Sequence, residues 1–466
     1  MTNRRGRSWG RFVALVALTV GLAGCDDLVE YTERDVIPPD ALGGVAGAAA
    51  IYAGAIRDFG QAFAGNAGGT EGMVLTYGLM SDEYMSGDTF GTRMDYDQRN
   101  TALDNSTLLG TFRLIQTARL GAHRAIEAIT AVGATTEADD PRFGEMYNRI
   151  GMIFLLTAQG YCSGIPFSSV TDGVVNPGLQ LTTQEMLDSA DFYFDRALAA
   201  EAGTGAINHT IATLMKARIL MYRDPADYAG AALLVAGIPT SFRGLQEHST
   251  ANGNNENGIF VFNTQNERWS ISHQEGTNGL GFRGRDGTGA GEDPLLADPR
   301  VPWKRDADAS TPSGLDDAFD GVTPQYDLLI YTARADPSAF AKGEEARLIE
   351  AEAALAGGDA VTWLLKLNQL RAGVTGLAPL VDPVTTAARV DLMFRERAFW
   401  LFATANRLGD MRRMIRQYGR ASETVFPTGA HHKGPQYGTD VNFPVPDQEK
   451  QNPNYSDGIS CIDRNA

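Results

Sequence analysis

The sequence predicts a mainly α-helical protein, built from stacked helical hairpins and interrupted by one long stretch of irregular loops and short strands. Two observations carry this reading. Apolar residues recur at three- and four-residue intervals through most of the chain, which places them on one helix face. Between residues 242 and 331 that spacing stops, and asparagine, glycine and proline dominate.

The first helix is expected over residues 43–63, where Ala48, Ile51, Ala55, Phe59 and Phe63 fall in register. Residues 64–98 are rich in Gly, Asp, Tyr and Met and read as an irregular loop, long enough to suggest function or disorder. Leu108, Phe112, Ile115, Ala122, Ile126 and Ile129 mark the next helix. Tyr147, Ile150, Phe154 and Thr157 mark another, stopping near Gly160. Thr182 with Glu185 three residues on is a capping box. It opens a helix carrying Leu187, Ala190, Phe194 and Leu198 on one face. Helices follow over 210–222 and, shorter, up to Ala236.

Inside the break, Ile259-Phe260-Val261-Phe262 reads as a short strand, as do residues 327–331. Helices resume over 342–356 and 360–372, divided by the turn Gly357-Gly358-Asp359. One long helix is then expected to carry Val390, Phe394, Leu401, Ala405 and Leu408 on a single face, with an extended tail from Phe426. Such hairpins bury their apolar faces by stacking on one another, a packing that resembles tetratricopeptide arrays.

The amino terminus carries the sharpest local signal. Arg4, Arg5 and Arg7 precede a short apolar run from Phe12 to Leu22, too short to span a bilayer comfortably. Leu22-Ala23-Gly24-Cys25 resembles a lipobox. Residues 1–24 are therefore expected to be a signal peptide, Cys25 the lipidated residue, 25–42 a tether and 43–466 one helical domain. Cys162 and Cys461 either pair across a very long loop or stand as separate thiols.

The formal charge is −17, and removing the four arginines ahead of Cys25 leaves about −21. A body this acidic repels a phosphate backbone and argues against nucleic-acid binding. No constellation of residues nominates an enzyme, and no cofactor is implied. Gly279-Leu280-Gly281-Phe282-Arg283-Gly284 matches a dinucleotide fingerprint by letters, but more glycines follow and it reads as a loop. His431-His432 lacks metal-ligand spacing and is read as a solvated turn, so no metal site is expected. The acids between Asp306 and Asp320 read as solvated.

Three carboxyl-terminal segments resemble the SusD/RagB family of outer-membrane nutrient receptors. The first is Glu344-Glu345-Ala346-Arg347-Leu348-Ile349-Glu350-Ala351-Glu352-Ala353, followed by Gly358-Asp359 and Leu367-Asn368-Gln369-Leu370-Arg371-Ala372. The second is Arg395-Glu396-Arg397-Ala398-Phe399-Trp400-Leu401-Phe402 with Arg407-Leu408-Gly409-Asp410-Met411-Arg412-Arg413. The third is Phe443-Pro444-Val445-Pro446-Asp447-Gln448-Glu449 with Asn452-Pro453-Asn454. Where the family usually has Glu-Gly before the arginine, this chain has Thr404-Ala405-Asn406.

The resemblance implies a non-enzymatic, lipid-anchored protein at the outer-membrane surface. It implies binding of an oligosaccharide or peptide and delivery to a TonB-dependent SusC-like β-barrel transporter. A helical-repeat lipoprotein that scaffolds envelope assembly without binding nutrients stays open beside it. Aromatic residues outside the helices are the candidate ligand contacts, since a sugar's CH-rich face packs on a ring while placed polar groups orient it. They are Tyr84, Phe90 and Tyr96 in the first loop and Trp269, Phe282 and Trp303, with Asn263, in the insertion.

Overall fold

The computed structural model describes residues 43–133, 136–171, 173–200, 206–285, 293, 295, 297–311 and 314–463. The expected signal peptide, Cys25 and the tether lie outside them.

Helices dominate. α1 (Gly44–Ala64) packs against α4 (Ser106–Ala131), with α2 (Met73–Met80), β1 (Tyr84–Ser86) and α3 (Gly91–Asp97) between them in sequence. α5 (Pro141–Gly160) packs on α4 and α6 (Thr183–Ala200), α6 on α7 (Ile207–Tyr222), and α7 on α8 (Tyr228–Val235). The stack continues through α9 (Gly343–Ala356) against α8, and α10 (Ala360–Ala372) against α9. α11 (Thr386–Trp400) then meets α9, and α12 (Arg407–Tyr418) returns to α2 and α5. Each element thus covers its neighbour's apolar stripe, as the helical spacing requires.

Caps fix the starts. Asn105 accepts from the Thr107 and Leu108 amides at 3.0 Å, and Asp140 caps α5 ahead of Pro141. The Thr182–Glu185 box closes reciprocally, with Thr182 N donating to Glu185 Oε2 at 2.7 Å and Glu185 N to Thr182 Oγ1 at 3.3 Å.

Three local expectations are corrected. Residues 64–98 are not irregular: α2, β1 and α3 occupy them, and all of α2 is buried. Ile259–Phe262 is helical rather than extended. Asn257 caps the Ile259 and Phe260 amides, and Asn263 then locks the turn from its far end, as described below. The single long helix over 390–408 is two, because the chain breaks after α11 with Ala403 and Ala405 at φ 58° and 60°. Non-glycine residues adopt this left-handed region at a cost of roughly 1–3 kcal/mol each. The break turns α12 back so that Arg397 and Asp410 meet at 2.7 Å.

Strands are short and come in antiparallel pairs: β2 (Ile165–Pro166) pairs with β5 (Gln180–Leu181), and β3 (Ser169–Thr171) with β4 (Val174–Asn176). β6 (Arg243–Gln246) pairs with β10 (Ser338–Lys342). β7 (Trp269–Ile271) pairs with β1, in the register Tyr84↔Ile271 and Ser86↔Trp269. β8 (Trp303–Lys304) pairs with β9 (Asp327–Leu328), the latter shorter than the expected 327–331 strand.

The tail runs back to the first half. Phe443 bridges to Tyr161, and Cys162 is disulfide-bonded to Cys461 across 299 residues. Opening that bond by Cys162→Ser with Cys461→Ser is expected to cost ~2–4 kcal/mol, because the cross-link restricts the unfolded chain. Calorimetric melting of the variant checks this, and an unchanged midpoint contradicts it.

Candidate functional site

The β1–β7 ladder brings together the two aromatic-bearing segments that the sequence singled out. Most of their candidate residues, however, face inward. Tyr84, Tyr96, Trp269 and Phe282 have no exposed surface, and Trp303 has 3%. Tyr84 packs on Phe402, Tyr96 on Phe443, Phe282 between Phe399 and Phe402, and Trp269 on Phe262. Trp303 packs on Tyr326 and donates its indole N–H to the Arg283 carbonyl at 2.8 Å. Buried Asn263 donates to the Trp269 carbonyl at 2.6 Å and accepts from the Leu328 amide at 2.7 Å. These side chains hold the loops; as placed, they offer no face to a soluble ligand. The loops needed core of their own, and their largest apolar groups supply it.

Phe90 is different, with 52% of its surface exposed. Beside it stands Phe319, at 50%, which the sequence reading passed over among the loop acids. Arg268 lies between the rings, its guanidinium 5.3 Å from the Phe90 centroid and 3.9 Å from that of Phe319. Arg93 covers Phe90 from another side at 4.7 Å.

Buried Asp88 fixes the assembly. Its Oδ1 pairs with Arg268 at 2.7 Å and accepts from the Thr89 amide at 2.6 Å, while Oδ2 takes Arg93 at 2.5 Å. Lys433 donates to the Asp88 carbonyl at 2.6 Å and pairs with Asp320 at 2.5 Å. The backbones interlock as well: Gly87 N–H donates to the Arg268 carbonyl at 3.0 Å, and Phe319 N–H to the Glu267 carbonyl at 2.7 Å. A Cβ on Gly87 would lie 2.2 Å from that of Ala318, so only glycine lets the loops approach this closely. The result is a rigid ridge of two exposed rings with a cation clasped between them.

Below it, the histidine pair is not the solvated turn expected. His431 is buried against Asp97, and His432 faces Glu275. Burial, then the charge of Asp97, raises the Glu275 carboxyl to about 8. Burial lowers His432, but its contact with Glu275 and the charge of Asp97 prevail and hold it near 9.

A separate cleft of about 380 Å³ lies among α1, α5, α7 and the β6–β10 pair. Its cations are already matched: Arg149 by Glu145 at 2.8 Å, Arg142 by Asp140, and Arg243 by Glu344 at 2.5 Å.

No family model matches the sequence, and no curated protein matches it. Solved structures do. The surface glycan-binding protein A of Bacteroides thetaiotaomicron, solved with laminarihexaose, superposes with a TM-score of 0.60 at 13% identity, over 87% of this chain and 97% of its own. NanU of B. fragilis gives 0.61 at 10% identity, over 90% and 99%. A SusD superfamily protein of Parabacteroides distasonis gives 0.60 at 14%, over 88% and 98%. The chain has the SusD fold. Within this SusD fold, the residues that carried the family resemblance do structural work: Glu352, Arg397, Asp410 and Arg413 form a buried ionic cluster joining α9, α11 and α12. No helix among the described residues is long and apolar enough to cross a membrane.

Proposed function

We propose that the protein is a non-catalytic, lipid-anchored oligosaccharide receptor whose sugar platform is the Phe90–Arg268–Phe319 ridge. The observation that carries this reading is a pair of half-exposed rings held in fixed positions by buried groups. Exposed aromatic surface costs solubility unless a partner uses it, and pre-ordered rings bind with little further loss of side-chain freedom. The acidic body favours an uncharged ligand over an anionic one. The fold agrees with this, since one protein sharing it was solved with laminarihexaose. Cys25 anchors the receptor at the outer membrane, and a TonB-dependent β-barrel of the SusC type receives its cargo.

Titration calorimetry against a panel of oligosaccharides and peptides tests the binding. Phe90→Ala and Phe319→Ala are each expected to weaken oligosaccharide binding about tenfold, the usual effect of truncating an aromatic anchor. Peptide-only binding, or sugar affinity unchanged in the double variant, overturns the assignment. Capture of the native protein from solubilised membranes without a large barrel counts against the transporter partnership.

A further inference from the structure

The cluster beneath the ridge carries an inference independent of sugar binding. Asp97 ends α3, Glu275 lies in the loop after β7, and His431 and His432 belong to the tail. One ligand-type atom from each lies within 4.8 Å of the others.

Hydrogen bonds sort the four into roles. The Lys433 amide donates to His431 Nδ1 at 3.1 Å, so in the neutral ring the proton sits on Nε2. That nitrogen donates to Asp97 Oδ2 at 2.9 Å, an oxygen that also accepts from the Ser86 amide at 2.8 Å. His431 therefore fixes Asp97 and keeps no free lone pair. His432 is arranged the other way. Its Nε2 donates to the Ser86 carbonyl at 3.0 Å, so when a metal displaces the Nδ1 proton and the ring becomes neutral, the Nδ1 lone pair faces Glu275 at 3.4 Å and Asp97 at 3.8 Å. Asp97 Oδ1 and both Glu275 oxygens are buried without a well-formed hydrogen bond. Asp97 has a fully buried side chain, and that of Glu275 is 5% exposed.

We infer that Asp97, Glu275 and His432 bind a divalent transition-metal cation, with His431 as a positioning residue. Two facing carboxylates taken from water need a cation more than they need each other. One imidazole with carboxylate oxygens suits Zn²⁺ or Mn²⁺. Calcium, which takes six to eight oxygens, finds too few here. The Nε2–H bond from His432 to a backbone carbonyl is the outer-shell support that metal-binding histidines commonly have. The ion would clamp α3, the loop after β7 and the tail into one unit, directly under the strand that leads to Asp88 and Phe90.

The test uses purified full-length protein stripped with chelator and titrated with ZnCl₂ or MnCl₂. One equivalent should bind and raise the melting temperature. Glu275→Gln and His432→Gln should each weaken binding at least tenfold. Glu275→Gln keeps the shape of a protonated carboxyl and leaves the His432–Asp97 contact in place, so it should melt close to the parent without metal, which separates loss of the site from loss of the fold. His431→Gln, keeping an N–H donor for Asp97, should retain binding that His431→Leu loses. Absence of saturable binding, or binding untouched by the Glu275 and His432 variants, overturns the assignment. Neither result bears on the sugar ridge, which is read by its own titrations.

Discussion

Arg413→Ala is expected to lower stability by ~3–5 kcal/mol, the cost of leaving buried charges without their partner. Arg413 forks between two carboxylates, pairing with Glu352 and, at 3.2 Å, with Asp410. Arg397 holds the other Asp410 oxygen at 2.7 Å, and the Tyr222 and Tyr418 hydroxyls donate to Asp410 and Glu352 at 3.1 and 2.6 Å. None of the charged side chains is more than 2% exposed. Burial alone would make these charges unfavourable; their mutual attraction prevails, holding Arg413 well above its ordinary pKa and Asp410 below the carboxylate range. Removing the arginine leaves Glu352 and half of Asp410 in a dry interior. The control is Lys450→Ala, whose pair with Asp447 spans 2.7 Å but is over two-fifths exposed on both sides. It should change stability by less than ~0.5 kcal/mol. Chemical denaturation of both variants decides the matter, and comparable losses would mean that the buried cluster contributes nothing special.

Glu83 is expected to make the protein less stable as pH rises. Burial, followed by the charge of neighbouring Asp82, lifts its carboxyl from 4.5 to about 8, against the opposing pull of Arg407. Only one of its oxygens is bonded, accepting from the Ala403 amide at 3.3 Å. Between those two values the folded state holds a proton that the unfolded chain has released. The stability from this group is therefore complete below about pH 4.5 and is lost as pH climbs through about 8. Glu83→Gln keeps the neutral shape and removes the titration. The variant should match the parent near pH 5 and exceed it near pH 9 by roughly 3–5 kcal/mol. Denaturation midpoints at the two pH values check this; because other groups titrate equally in both proteins, the difference isolates Glu83. Parallel pH profiles would refute it.

The helical stack was legible because its information is local. Positions such as Leu108, Phe112 and Ile115 recur at helical spacing wherever they end up, and the Thr182–Glu185 box lies within four residues. The misread segments depend on partners distant in sequence. Ile259–Phe262 has a strand's composition, yet Asn263 finds acceptors at Trp269 and, 63 residues on, at Tyr326, and the helical turn follows. The break between α11 and α12 sits where Thr404-Ala405-Asn406 replaces the family's usual residues; nothing in its composition marks a left-handed turn.

What the sequence could say of the candidate site was limited to which segments carry it. The two segments that the sequence singled out do meet, pairing through β1 and β7. Which aromatics face solvent was not decided by residue type, because Trp269 and Phe90 are equally suited to stacking. Only the loops' need for apolar filling separates them. Phe319 carried one usable signal, a phenylalanine isolated among acids. Asp97 and Glu275 carried none, since 178 residues separate them and 156 more separate Glu275 from His431.

The tail has a further consequence for how the molecule is made. Phe443 covers Tyr77, Tyr96 and Tyr161, Arg99 takes the Pro427 and Asp440 carbonyls, and Cys461 bonds to Cys162. The first third of the chain thus receives its closing surface from residues 427–461, which are synthesised long after it. Contacts of such long sequence separation form late, so the first third of a nascent chain stays unfinished until residues 427–461 have been made. A stop codon ahead of Pro427 would damage the earliest-made helices as much as the missing end itself.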